Sequence, residues 1–180
     1  SRLYYKMIKI IYRIIWLFSI VNAQTFSIAR VHYGGGGDWY SNPSSLPNLL
    51  KYIESNTSIS TYQDEFRIKL TDENANEFPF LYMTGHGNIK FTEEEIISLR
   101  TILTNNGFLH ADDNYGMDAS FRREMTRVFP NKEFVRLPKK HPIFSSYFTF
   151  PNGLPKIHKH DGKPPEALGL FENDRMIVLY

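Results

Sequence analysis

Strand-like and helix-like segments alternate along most of this chain, and no other feature limits its possible folds as tightly. Each amphipathic helix must bury its apolar stripe on a sheet that the strands build, so the alternation predicts an α/β sandwich with a mainly parallel sheet. Residues 26–33 (FSIARVHY) read as a first strand, ended by four consecutive glycines. Leu46, Leu49, Leu50 and Ile53 recur at i, i+3, i+4 and i+7, one face of a helix that tolerates Pro47 in its first turn. Residues 66–70 form a short alternating strand, and residues 78–84 (FPFLYMT) a continuous apolar one of the kind covered on both faces. Thr92 and Glu95 have capping-box spacing and open a helix presenting Ile96, Leu99 and Leu103, with Gly107 as its stop. Residues 108–111 are the next strand, and Phe121, Met125, Val128 and Phe129 share a third helical face that ends before Pro130. Residues 133–137 are a further strand, 138–165 a long excursion rich in Pro, Gly, His and Lys, and 167–171 with 176–180 a closing hairpin.

The first 23 residues stand apart from this pattern. Lys9 and Arg13 flank an apolar run over 14–21, followed by Val21-Asn22-Ala23, the basic, apolar and small-residue order of a secretory signal peptide. Met7 fits as the initiator and Gln24 as the mature N-terminus. A retained membrane anchor is the alternative, but the uncharged run is about half of the ~20 residues a span needs. The expectation is an exported protein of the periplasm or cell envelope, touching membrane only through residues 1–23, with a single domain over 24–180. Its end inside an apolar strand predicts a domain truncated at the C-terminus. Charge agrees with this division. Four of the 21 basic residues and none of the 19 acidic ones lie in the first 23 positions, leaving the body near −2. Such a body has no field to attract nucleic acid. The chain has no cysteine, which excludes disulfides, thiolate metal sites, a lipoprotein anchor and a cysteine nucleophile.

Ligands of open α/β sheets gather beyond the carboxyl ends of the strands, and three candidate segments fall there. In residues 34–39 (GGGGDW), Gly35, Gly36 and Gly37 can bring backbone N–H groups close to a ligand beside Asp38 and Trp39, or can simply form a tight turn. In residues 84–88 (TGHGN), His86 lies between Gly85 and Gly87 with Asn88 following, a setting for a base, an acid, a ligand or a structural histidine. Asp112 and Asp113, with Asn114 and Tyr115, can hold a metal or a sugar hydroxyl, or work as acid and base, if the strand has ended before them. Asp113 or Asp118 can instead cap the following helix. His158 and His160 in the excursion are a weak metal pattern, and no complete metal or cofactor set is legible. Ser120 lacks the G-x-S-x-G elbow of serine hydrolases.

The stretches ARVHYGGGGDWY, FPFLYMTGHGN, GFLHADDNYGMDASFRRE and LPKIHKHDGKPPEALGLF together resemble the family known as domain of unknown function 4159, from about residue 26 to 180. That resemblance implies a flavodoxin-like three-layer sandwich of the class I glutamine amidotransferase-like superfamily. It also implies exported or membrane-tethered bacterial proteins, often encoded beside MoxR-type ATPases and von Willebrand A-domain proteins, and it carries no reaction with it. A glutamine amidotransferase needs a cysteine on the elbow after a central strand, where this chain has residues 84–87 and no cysteine, so glutaminase chemistry by that route is excluded. Two readings remain. One is an envelope protein that binds a small ligand or a protein partner. The other is a hydrolase using Asp112, Asp113 and His86, with or without a metal.

Overall fold

The computed structural model describes residues 25–151, 162 and 165–180. The expected signal peptide and the expected His158/His160 pattern lie outside the described residues. Among the described residues, seven strands form one sheet: β1 (Ala29–Val31), β2 (Phe66–Ile68), β3 (Phe80–His86), β4 (Phe108–Tyr115), β5 (Val135–Arg136), β6 (Leu168–Glu172) and β7 (Arg175–Leu179). Their order is β2-β1-β3-β4-β7-β6-β5. The pairings from β2 across to β7 are parallel, whereas β7–β6 and β6–β5 are antiparallel. The sheet is therefore mixed. Antiparallel strands enter because the β6–β7 hairpin turns on Asn173 and Asp174, both at positive φ, as tight hairpins require.

Among the described residues, three α-helices cover this sheet: α1 (Ser45–Asn56), α2 (Glu93–Thr104) and α3 (Asp118–Val128). Strand side chains alternate between faces, and the alternation sorts the core. Ile28 and Tyr82 pack with Leu46 and Leu50 of α1. Ala29, Val31, Leu81 and Met83 join the larger cluster with Ile96, Leu99 and Leu103 of α2 and Phe121, Met125 and Val128 of α3. α1 thus lies on one face, α2 and α3 on the other. The chain leaves β1 towards β2 on one side and returns to β3 on the other. The resulting gap beyond the carboxyl ends of β1 and β3 is a topological switch point, the place where open α/β sheets bind ligands.

Local signals place most elements and misplace some ends. Thr92 and Glu95 form the full reciprocal capping box at the start of α2. The stop of α2 is Asn106, at φ 71°, rather than Gly107. Leu49 is exposed, so α1 buries a narrower stripe than expected. Residues 26–33 supply only a three-residue β1, because the 26–28 portion bridges to Thr61 at a single point. β3 runs on through Gly85 to His86, and β4 continues through Asp112 and Asp113 to Tyr115. The apolar pattern gave out four residues before that strand did, since ladder pairing with β3 continues along Thr84–Asp112 and Gly85–Asp113 whatever the side chains are.

Candidate functional site

Two segments zip together at the switch point. Gly34 bridges Lys90 in antiparallel fashion, the Lys90 N–H donating to the Gly34 carbonyl at 2.9 Å. Gly37 N–H donates to the Asn88 carbonyl at 3.1 Å, and the Asn88 side-chain amide donates to the Gly35 carbonyl at 3.1 Å. This closeness explains the glycine run. Gly35 has φ 106°, and a Cβ there would lie 2.7 Å from the Lys90 nitrogen. Gly37 abuts the His86 carbonyl in the same way. The expected cradle for a ligand is, at Gly35 and Gly37, a cradle for the protein's own backbone; Gly36 alone faces open space.

The zip delivers Asp38 to His86. One oxygen of the Asp38 carboxylate, Oδ1, accepts the His86 backbone N–H, and the other, Oδ2, lies 3.0 Å from the ring Nδ1. The Ser41 hydroxyl also donates to Oδ2. Burial works against ionisation of Asp38, but the hydrogen bonds from Ser41 and from the His86 backbone and ring outweigh it and hold the carboxyl well below its usual range. The imidazole is 55% exposed and its anchoring carboxylate 32% exposed. Gly85 makes the contact possible, because at φ 140° a Cβ would collide with the Tyr33 hydroxyl and sit 2.9 Å from Asp38 Oδ1.

Beneath this open pair lies a sealed one. Arg30 in β1 makes a two-pronged ion pair with Glu65, Nε to Oε1 and Nη2 to Oε2, both at 2.8 Å, with both side chains 1% exposed. Arg30 Nη1 also donates to the Ser41 carbonyl at 2.9 Å, so the guanidinium ties down the loop that carries Asp38. The ring of Tyr82 lies 5.2 Å from the guanidinium carbon. Tyr33 donates its hydroxyl to the Thr84 carbonyl at 2.9 Å. Sequence reasoning missed Arg30, Glu65, Tyr33 and Tyr82 as parts of the site. The available signal was one arginine inside an otherwise apolar strand, which must find a partner when buried.

The Asp pair does not behave as expected. Because β4 continues past it, Asp112 and Asp113 face opposite sides of the sheet. Asp112 accepts the Tyr82 hydroxyl at 3.1 Å on the α1 face. Asp113 accepts the Met117 N–H and the Tyr180 hydroxyl, each at 3.1 Å, on the face of α2 and α3. The two carboxylates do not converge, and neither is the partner of His86. Asp113 stabilises the turn entering α3, while Asp118, expected as a cap, pairs with Arg122 at 2.7 Å instead. Asn114 accepts the Asn42 side-chain amide at 3.0 Å, which joins the end of β4 to the Asp38 loop. Residues 34–39, 84–88 and 112–115 therefore do meet at one sheet edge. Trp39 stacks on His32 with ring centres 4.1 Å apart, and Tyr115 lies opposite His86 in the ladder.

Next to this edge a groove of about 480 Å³ is lined by Asn88, Lys90, Phe91, Arg123, Glu124 and Arg127. Its two arginines are occupied: both pair with the buried Glu124, and both donate to carbonyls of the 89–91 segment. Its charge is thus largely spent on holding α3 against that segment. Among the described residues no three His, Asp or Glu side chains converge as a metal set.

Comparison with known families places this arrangement in a group. A family described as domain of unknown function (DUF4159) matches residues 27–180. No curated protein matches the chain.

Proposed function

The chain belongs to the DUF4159 family, and we propose that it is an exported ligand-binding domain of the cell envelope, built on a flavodoxin-like, class I glutamine amidotransferase-like scaffold without the cysteine nucleophile. The β2-β1-β3-β4 strand run with helices on both faces supports the scaffold. The observation that carries the binding reading is the meeting of residues 34–39, 84–88 and 112–115 at the switch point, joined by the Asp38–His86 and Asn42–Asn114 contacts. The edge presents carboxylates, an imidazole, a phenol and amides. That inventory is rich in hydrogen-bond acceptors, so it suits a ligand rich in donors: a polyhydroxylated molecule or an amine. A docked envelope protein, including a MoxR-type ATPase or von Willebrand A-domain partner, is the corresponding role for the family context. The alternative, a hydrolase using Asp112, Asp113 and His86 with or without a metal, draws less support, because those two carboxylates diverge.

Titrating the ¹⁵N-labelled domain with maltose, spermidine and inorganic phosphate tests the reading through amide shifts. Maltose or spermidine should move resonances of residues 34–39, 84–88 and 112–115 together, and phosphate should leave them in place. Shifts for phosphate alone, or shifts scattered over the surface, would contradict it. Export is tested separately by mass spectrometry of the bacterial product, which should begin at Gln24. A membrane-bound chain that still contains Trp16 would overturn the export proposal.

A further inference from the structure

We propose that His86 is a proton acceptor at Nε2, with its neutral tautomer fixed by Asp38 as a positioning residue. The inference goes beyond ligand binding, since it gives the site a chemical capacity, and its test needs no bound ligand.

Three features of the geometry carry it. Asp38 touches His86 twice, once through the backbone N–H and once at ring Nδ1, so the backbone contact fixes the carboxylate whose other oxygen faces the ring. An ionised carboxylate accepts and does not donate, which obliges Nδ1 to carry the hydrogen and leaves the lone pair on Nε2. The ring is more than half exposed at the open switch point, so the lone pair meets solvent or ligand and not the core. The carboxylate is held in place in turn: Ser41 donates to it, and Arg30 grips the Ser41 carbonyl from below. A histidine that merely decorates a turn needs none of this support. The arrangement matches the carboxylate–imidazole half of a general-base site, in which the carboxylate orients the ring and selects its tautomer. A water or ligand hydroxyl hydrogen-bonded to Nε2 would give up its proton there, and the imidazolium so formed would be stabilised by Asp38.

Free histidine favours the hydrogen on Nε2, so the proposed tautomer is a distinctive signature. Long-range ¹H–¹⁵N correlation spectra, recorded above the pH at which His86 is seen to lose its extra proton, should show Nδ1 protonated and Nε2 bare. Asp38→Asn offers Nδ1 a donor and should reverse the assignment, while Ser41→Ala, which keeps the carboxylate, should preserve it. Site-resolved labelling with diethyl pyrocarbonate, which acylates an unprotonated imidazole nitrogen, should be slower at His86 in Asp38→Asn, where Nε2 carries the hydrogen. Circular dichroism confirms that each variant is folded. A parent ring protonated at Nε2, one protonated at both nitrogens throughout, or a tautomer unmoved by Asp38→Asn would each overturn the proposal.

Discussion

The two side-chain pairs that meet at the loop 38–42 differ above all in their access to water, and that difference sets what each can do. Arg30–Glu65 is shut away from water, doubly hydrogen-bonded, and fixed on the α1 face of the sheet. Asp38–His86 uses a single ring contact and opens to solvent on its imidazole side. A sealed pair satisfies its own charges and leaves nothing for a ligand. An open pair at a switch point has an unused ring nitrogen and a place for a ligand to approach. The first fixes where the loop runs; the second is what the loop presents.

Removing one partner of the sealed pair should give the largest effect. Glu65→Gln leaves the Arg30 charge buried without its counter-ion, and urea unfolding should show a loss of about 3–5 kcal/mol. Replacing both partners with apolar residues, as in Arg30→Met with Glu65→Leu, should recover much of that loss. If the double variant is no better than the single one, the pair has a further role in placing the loop.

Alkaline pH should strike the same region nearly as hard. Tyr33 is pushed up to about 12 by burial and by the charges of Asp38 and Asp113. Tyr82 is likewise pushed up to about 12 by burial and by Asp112. A raised folded value means that the contribution to stability is complete below the ordinary tyrosine value near 10 and is lost as pH rises through about 12. Thermal melts between these limits should fall steadily, and ultraviolet titration should show a late-ionising group of phenols. Ionisation of all tyrosines near pH 10, with the fold intact, would contradict the burial of these two.

Gly85→Ala sharpens the comparison from the open side. The added methyl meets the Tyr33 hydroxyl and the Asp38 carboxylate at a φ of 140°, so it should cost about 1–3 kcal/mol and release His86 from Asp38. A smaller loss is expected at β4. Asp113→Ala removes the acceptor of the Met117 N–H and the Tyr180 hydroxyl and should cost about 1–2 kcal/mol. Asp112→Asn keeps an acceptor for Tyr82 and should be close to neutral in stability. Equal losses at the two positions would mean that the opposite-face assignment of the Asp pair is wrong.

What the sequence disclosed about this region follows from what periodicity records. Apolar alternation located the strands and the buried helix faces, because core residues such as Leu81, Met83, Leu99 and Phe121 repeat at the spacing of their element. The carboxyl edge was legible for the same reason, since Gly85, His86 and Asp112 follow apolar runs. Three things were not. β4 continues beyond its apolar residues because backbone pairing, not side-chain character, extends it to Tyr115. The pairing of β5 with β6 depends on a long return through the chain that local pattern does not encode, whereas the β6–β7 hairpin was legible from its turn. The partner of His86 lies 48 positions away in sequence, and a contact of that separation is set by topology alone. Asp38 was visible as a site residue and Asp112 as a candidate beside His86; the glycine zip decides between them.

On the proposed reading, His86 is held for a ligand and not for the fold. Urea unfolding of His86→Gln, beside the parent and Glu65→Gln, tests this most directly. An exposed pair contributes at most about 1 kcal/mol, so His86→Gln should unfold within that margin of the parent while Glu65→Gln unfolds far earlier. A loss at His86 as large as that at Glu65 would make the open pair a structural one and contradict the account.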